Sequence, residues 1–203
     1  MDRATLKSMA KEQIRGNIGV LFLITLVVAV VTGLVSAIPG VGSVAGFLIV
    51  TPALTIATIH IYLNLAKGVK PEVKELFAHF GEFWPAFKVT FLTGLFTVLW
   101  MLLLIIPGYV KAFSYSQAMY IMAENPGMGA RQAIKQSQEM MNGHKMELFV
   151  LGLSFFGWML LTVVTFGIAG IWVIPYMQAT QINFYNSIKP QVVAAEPIVE
   201  AEF

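Results

Sequence analysis

The sequence has no cysteine and little charge. None of its 203 residues carries a thiol group. The sequence therefore excludes a disulfide, a thiolate nucleophile and a thiolate metal site. Charged residues make up 12% of the chain and hydrophobic residues 57%, whereas about a quarter of a globular protein is charged. The mean hydropathy is +0.74. This composition argues against a soluble enzyme, and a net charge of +2 gives no reason to expect a nucleic-acid partner. It indicates an integral membrane protein.

Long uncharged runs indicate where the chain crosses the bilayer. Asp, Glu, Lys and Arg are absent from residues 16–66, 89–110, 112–123 and 148–188. Since a helix needs about 20 apolar residues to cross, we predict an all-α, polytopic helical membrane protein with six transmembrane helices, at about 18–38, 44–65, 87–106, 109–123, 148–166 and 168–185. Turns at Pro39-Gly40, Pro107-Gly108 and Phe166-Gly167 join them as three hairpins. Residues 1–188 form a single membrane domain, and 189–203 are predicted to be a disordered cytoplasmic tail.

The positions of the basic residues predict the orientation. With six spans and the amino terminus inside, all but one of the 13 basic residues fall on the cytoplasmic side. The exception is Lys111, and a lysine near a helix end ordinarily extends its ammonium to the interface. If 109–123 did not cross, Arg131, Lys135 and Lys145 would lie outside, against the positive-inside tendency. We therefore predict that both termini are cytoplasmic.

A charged stretch with helical periodicity precedes each predicted hairpin, and we call these the three charged segments. Apolar residues recur at helical intervals from Leu6 to Ile14, from Val73 to Trp84 and from Ala130 to Met141. All three segments are predicted to lie as cytoplasmic interfacial helices. In the first, four basic residues are predicted to contact anionic lipid: Arg3, Lys7, Lys11 and Arg15. The alternative is that these charges only orient the chain during insertion.

Two of the predicted hairpins have similar second helices. Residues 52–64 read PALTIATIHIYLN and residues 175–187 read PYMQATQINFYNS, so a proline and a tyrosine ten positions later recur and His60 aligns with Asn183. An internal repeat is one interpretation. The other is chance, since membrane helices use few residue types.

Nine polar or aromatic side chains are predicted to lie toward the cytoplasmic half of the spans: His60, Tyr62, Asn64, Gln117, Tyr120, Gln178, Gln181, Asn183 and Tyr185. A polar group in hydrocarbon requires a partner, and an interhelical hydrogen bond contributes on the order of 1 kcal/mol. Structural bonding between helices is therefore the first interpretation. The second is a polar cavity, open to the cytoplasm, that binds a lipid headgroup or a small polar ligand.

Acidic residues are absent from all six predicted spans, although the chain has 11. Proton-coupled transporters and pumps usually hold ionisable groups there. The three histidines, His60, His79 and His144, share no metal-binding spacing, and Ser114 and Ser116 have no companion base. We therefore predict no catalytic residue, no metal site and no cofactor, and we expect that the chain is not an enzyme.

Several stretches resemble one family of membrane proteins. They are PGYVKAFSYSQAMYIMAENP from Pro107, AIKQSQEMMNGHK from Ala133, LFVLGLSFFGW from Leu148, TFGIAGIWVIPY from Thr165 and the opening LKSMAKEQIRGNIG. Over nearly its whole length except the tail, the chain resembles the uncharacterised bacterial membrane proteins grouped as domain of unknown function 975. The resemblance implies a polytopic protein of the bacterial inner membrane, and it carries over no catalytic residue.

These observations lead to two expectations about function. The first is a non-enzymatic binding, scaffolding or accessory component of the bacterial plasma membrane that contacts membrane lipids, with no nucleic-acid partner and a protein partner that the sequence does not identify. The second is a transporter or permease for a lipid-like or small polar molecule. A ligand-sized polar cavity favours the transporter, whereas a bundle filled by Leu, Phe and Ile favours the scaffold.

Overall fold

The computed structural model describes residues 2–37 and 41–189, and within them it is all-helical, without a strand. The predicted fold class is confirmed to that extent. In the described part of the chain the helices are α1 Arg3–Ile14, α2 Ile18–Ser36, α3 Val41–Ala66, α4 Glu75–Ala78, α5 Phe83–Leu103, α6 Ile105–Tyr115, α7 Ala118–Glu124, α8 Ala130–Met140, α9 Lys145–Leu153, α10 Phe156–Val164 and α11 Gly170–Ile188. A 3-10 turn, Phe80–Glu82, precedes α5.

Four helical stretches among the described residues are long and apolar enough to cross a membrane. They are Ile18–Ser36, Leu48–Ala66, Phe83–Leu103 and Lys145–Val164, the last formed by α9 and α10 together. They coincide with four of the six predicted spans, which supports a membrane protein. The other two predicted spans, 109–123 and 168–185, do not meet these criteria. The first falls on the short helices α6 and α7, and the second on α11, which is long enough but more polar.

The helix α3 is central: the long apolar helices α2 and α5 pack on it, whereas the α9–α10 stretch packs on α6 and α11. In the Leu48–Ala66 stretch 56% of the residues are buried, against 11% in each of the other three. Those three expose large apolar side chains. The region where α5 turns into α6 does so as well, since Leu102 at the end of α5 and Ile106 at the start of α6 are 79% and 77% exposed. Apolar surface of this extent belongs against lipid rather than water. The helix pairs α2 with α3, α5 with α6 and α10 with α11 each pack together.

The turn between α5 and α6 lies earlier than predicted. It is formed by the extended residue Leu104 rather than by Pro107-Gly108. Pro107 is instead the third residue of α6, where a backbone N–H has no partner within the helix, so a proline costs little there. Gly108 lies against α5: a Cβ atom at this position would be 2.8 Å from Cα of Met101.

The turn predicted at Phe166-Gly167 is confirmed. Both residues have positive φ, 51° and 90°, and Phe166 is 99% exposed. The turn predicted at Pro39-Gly40 lies outside the described residues, as does the predicted tail beyond Lys189.

Two helices are broken where the hydropathy predicted continuous spans. The predicted span 109–123 is divided at Ser116-Gln117 into α6 and α7, and 148–166 is divided at Ser154-Phe155 into α9 and α10. Each break leaves backbone groups without a partner inside the helix. The second charged segment also differs from its prediction, since it forms only the four-residue α4 and the 3-10 turn before α5 begins.

The first and third charged segments are helical and their apolar faces are mostly buried. The helix α1 packs on α11 and buries Leu6, Ala10 and Ile14, while Met9, predicted on the same face, is 36% exposed. In the third segment the buried apolar residues are Ala133, Ile134, Met140 and Met141. These helices are therefore packed onto the bundle.

Candidate functional site

Two of the three predicted cavity residues near the carboxyl end of α3, His60 and Asn64, contact the second charged segment. His60 Nε2 lies 3.0 Å from Glu82 Oε2, and Asn64 donates a hydrogen bond of 3.2 Å from Nδ2 to Glu75 Oε2. Since His60 and Asn64 are one helical turn apart, the two contacts attach the segment to a single face of α3. Tyr62, between them, is buried, and its hydroxyl has no hydrogen-bond partner in the described part of the protein.

Three further predicted residues belong to a chain of contacts between α7 and α11. Tyr120 donates to Gln181 Oε1 at 2.8 Å and stacks on Tyr185 at 5.6 Å between ring centroids. The Tyr185 hydroxyl donates to Glu124 Oε2 at 2.7 Å, and Lys189 Nζ donates to Glu124 Oε1 at 2.7 Å. The polar atoms at this end of α11 thus bond to the protein itself.

Asn183, in the middle of the second half of α11, contacts α1. It accepts a 3.0 Å hydrogen bond from Gln13 Nε2 and donates one of 3.0 Å to Gln13 Oε1, and its Nδ2 also lies 3.3 Å from the carbonyl oxygen of Leu6. Two side-chain amides paired in this way satisfy each other's donors and acceptors. They attach the first charged segment to α11.

Gln117 lies at the break between α6 and α7, which α8 seals. Its backbone N–H donates to Ser137 Oγ at 3.2 Å, and the same hydroxyl donates to the carbonyl oxygen of Ser114 at 2.7 Å. Ser137 is fully buried. One serine therefore satisfies a donor and an acceptor that the interrupted helix leaves free. The side chain of Gln117 reaches Ser116 Oγ at 2.9 Å.

These contacts follow one rule. The second charged segment bonds to α3 through His60, the third bonds to the α6–α7 break through Ser137, and the first bonds to α11 through Asn183. The second and third segments each contact the second helix of the pair that precedes them in sequence, which is α3 and α6 respectively. The first segment contacts α11, the second helix of the α10–α11 pair. His60 and Asn183, which are aligned in the two similar sequences, each bond to a charged segment.

The cavities include large apolar ones, a small polar one, and one of about 320 Å³ between α1 and α9 that is lined in part by Asp2, Arg3 and Glu147. A cavity of about 430 Å³ lies between α10 and α11, and one of about 330 Å³ lies between α3 and α5 and is lined mostly by apolar side chains. The polar one, about 170 Å³, is lined by Tyr120 and Gln178 together with Thr32, Thr51, Thr55 and Thr58. Of the nine residues predicted to line a cavity, Tyr120 and Gln178 line this one, and Gln178 and Gln181 line the cavity of about 430 Å³.

The four basic residues predicted to contact lipid are not equivalent. Lys7 Nζ donates to the carbonyl oxygen of Ser154 at 3.2 Å, at the α9–α10 break, and lies 4.3 Å from the centre of the Phe155 ring. Burial, and then repulsion by Arg3 and Lys11, lower the pKa of Lys7. Arg3, Lys11 and Arg15 are exposed. Lys7 thus bonds to the protein itself, whereas among the other three only Lys11 has a ring contact within the described residues, with its Nζ 5.7 Å from the centre of the Tyr176 ring.

A cluster that the sequence analysis did not predict brings two of the three histidines together. The rings of His60 and His79 are stacked, with centroids 3.9 Å apart and planes 6° from parallel, and His79 Nδ1 lies 3.0 Å from Glu82 Oε1. Burial raises the pKa of Glu82, but hydrogen bonds to and charge interactions with the two imidazoles together outweigh it and hold the pKa below its usual value. The three-residue spacing of His79 and Glu82 could have indicated that these two side chains lie together. His60 is too far away in sequence for its place in the cluster to be predicted.

Comparison with known families identifies the chain. A family model described as "Protein of unknown function (DUF975)" matches residues 1–115 and 101–191. The chain belongs to the DUF975 family. The resemblance found in the sequence is thereby confirmed. No curated protein and no solved structure matches it.

The two DUF975 matches together contain all of the contacts described above. They overlap at 101–115, where α5 turns into α6. Since the family has no assigned activity, the function of this DUF975 chain has to be inferred from its geometry.

Proposed function

We propose that this chain is a non-enzymatic binding, scaffolding or accessory component of the bacterial plasma membrane. The observation that carries the proposal is that seven of the nine polar or aromatic side chains predicted in the spans, all except Tyr62 and Gln178, form hydrogen bonds to other side chains in the part of the protein that the structure describes. Tyr120 with Gln181, Asn183 with Gln13 and His60 with Glu82 are the main pairs. Groups engaged in this way hold helices together.

The large apolar cavities support the same proposal by their size and lining. A pocket for a small molecule usually has about 300–1,000 Å³ and a few converging polar groups. The cavity of about 430 Å³ is of that size but is lined mostly by apolar residues such as Met159, Val163 and Ile174. Such a surface suits an acyl chain or an apolar partner helix.

We further propose that the chain crosses the membrane six times as three hairpins, with both termini in the cytoplasm. The short turn at Leu104 directs α6 back along α5, and α6 with α7 extends over 105–124, about the 20 residues that a crossing needs. The turn at Phe166-Gly167 directs α11 back toward α10 in the same way. The polarity of α11 agrees with a crossing because its inner face is covered by α1, α2 and α3.

One observation favours the alternative function, transport of a small polar molecule. The cavity of about 170 Å³ is lined by hydroxyl groups, and Thr51 Oγ1 is buried without a hydrogen-bond partner in the described structure. A buried unpaired hydroxyl is costly, so a ligand that pairs with it would be stabilised. The volume is well below that of an ordinary ligand pocket.

Native mass spectrometry of the protein extracted from bacterial membranes separates the two functions. The scaffold proposal expects copurified lipids or a protein partner, unaffected by Thr51→Val. A retained small polar molecule that disappears in Thr51→Val but stays in the matched variant Thr93→Val, on α5, contradicts it and supports transport. Thr93 is a suitable control because its hydroxyl is already bonded to the carbonyl oxygen of Val89.

A further inference from the structure

We propose that His60, His79 and Glu82 form a binding site for one divalent transition-metal ion of the Zn²⁺ type, which ties the second charged segment to α3. The available ligand atoms of the three side chains all lie within 4.8 Å of one another. Their side chains are mostly buried, with exposures of 15% for His60, 26% for His79 and 20% for Glu82. The proposal is independent of whether the protein is a scaffold or a transporter.

The donor set selects the class of ion. Two imidazole nitrogens and one carboxylate oxygen are ligands that Zn²⁺ and other late first-row divalent ions prefer, whereas Mg²⁺ and Ca²⁺ prefer oxygen alone. Three protein ligands leave one position of a tetrahedral ion for water. We therefore expect the site to bind a Zn²⁺ ion that also holds one water molecule.

The distances are compatible with a single ion after a small rearrangement. Ligand atoms at about 2.0–2.2 Å from a tetrahedral ion lie about 3.4 Å from one another. His60 Nε2 and His79 Nδ1 are each already 3.0 Å from an oxygen of the same carboxylate. Since one ion cannot lie in the planes of two parallel rings, binding requires one imidazole to rotate out of the stack. Each ring binds as neutral imidazole, with its hydrogen on the other nitrogen.

The fold holds the three ligands from two sides. His60 comes from α3. His79 directly precedes the 3-10 turn and Glu82 is its last residue, so the two are three residues apart and their side chains point the same way. The hydrogen bond from Asn64 to Glu75 fixes the charged segment against the same face of α3 one turn away. Support of this kind positions metal ligands before the ion arrives.

The inference is tested on the full-length protein, purified in detergent without histidines in the affinity tag. After treatment with a chelator, the protein is titrated with Zn²⁺ by calorimetry and with Co²⁺ by visible absorption. We expect one ion bound per chain, with a Co²⁺ spectrum typical of nitrogen and oxygen ligands in a tetrahedral site, and no comparable binding of Mg²⁺. His60→Ala and His79→Ala are each expected to weaken Zn²⁺ binding by at least about tenfold.

The matched control is His144→Ala. His144 and Glu147 have the same spacing as His79 and Glu82 and a similar contact of 3.2 Å, but they are exposed and have no second histidine. This variant is expected to bind Zn²⁺ like the unchanged protein. Glu82→Gln, which keeps a polar side chain, is the second test if an alanine variant fails to fold, as judged by circular dichroism and gel filtration. Absence of Zn²⁺ binding, or equal binding by folded Glu82→Gln, His60→Ala and His144→Ala, overturns the proposal.

Discussion

At the scale of single residues, Gly108 sets how closely α6 approaches α5. A Cβ atom there would lie 2.8 Å from Cα and 2.9 Å from N of Met101, and a backbone cannot give way as a flexible side chain can. We expect Gly108→Ala to lower the free energy of unfolding by about 1–3 kcal/mol, the usual cost of overpacking. Thermal unfolding in detergent, followed by circular dichroism, measures the change.

The matched control for this prediction is Gly94→Ala in the middle of α5. A Cβ atom at Gly94 meets nothing within 4 Å, so this variant gains helix propensity without a clash. It is expected to unfold at the same temperature or slightly higher. Similar destabilisation of both variants would show that the close approach at Gly108 is not what matters.

Ser137 is the second residue whose role can be measured. In Ser137→Ala the carbonyl oxygen of Ser114 and the N–H of Gln117 both lose their partner inside the protein. An unpaired buried polar group costs about 1–3 kcal/mol, so we expect a clear fall in the unfolding temperature. Ser8→Ala is the comparison, since the exposed Ser8 hydroxyl bonds only to the neighbouring Thr5 carbonyl. If Ser137→Ala and Ser8→Ala unfold at the same temperature, the α6–α7 break does not depend on the Ser137 hydroxyl of α8.

At the scale of elements, the charges of α1 are expected to have two separate roles. The triple variant Arg3→Gln, Lys11→Gln, Arg15→Gln should retain less anionic lipid in native mass spectrometry, since each basic residue near an anionic leaflet contributes about 1 kcal/mol. Its stability should change less than that of Lys7→Gln, because these side chains are exposed and the one ring contact among them, from Lys11 to Tyr176, is long at 5.7 Å. Lys7→Gln should lower stability, since Lys7 bonds to Ser154 at the α9–α10 break.

Lys111→Gln is the control for lipid retention, because the six-span topology places Lys111 on the opposite side of the membrane. It should retain anionic lipid as the unchanged protein does. Full retention by the triple variant would leave α1 with a purely structural and topological role.

Hydropathy predicted most helices but not their interruptions. A window of about 20 residues averages over Ser116 and Ser154, so it cannot detect a break that is stabilised by a side chain distant in sequence. Ser137 and Lys7 supply that stabilisation, and no local pattern around either break indicates them. The helical periodicity of the first and third charged segments was sufficient to place α1 and α8.

The candidate site was predictable only in part, for a similar reason. The sequence selected His60, Asn64 and Asn183 as polar groups in need of partners, but their partners Glu82, Glu75 and Gln13 lie on the charged segments. We had predicted those segments as membrane-surface helices, which gave no reason to pair them with the bundle. No histidine has a metal-binding spacing within its own segment, and the sequence does not show that the fold stacks His60 on His79.

At the scale of the whole molecule, the six-span topology predicts where reporters should appear. Fusions after Lys67, after Asn142 and at the carboxyl terminus are expected on the cytoplasmic side, because basic residues are concentrated there. A reporter inserted at the Phe166-Gly167 turn should appear on the outer side. An external signal after Asn142 would contradict the crossing by α6 and α7 and require a five-span or re-entrant arrangement.

The contact between α1 and α11 has a consequence for biosynthesis. The ribosome makes α1 before α11, and at roughly 5–20 residues per second the delay between them is on the order of ten to thirty seconds. Throughout that time the carbonyl of Leu6 and the amide of Gln13 lack Asn183. Until α11 is made, the apolar face of α1 with Leu6, Ala10 and Ile14 lacks the helix on which it packs, so α1 reaches its final place only after α11 has been synthesised.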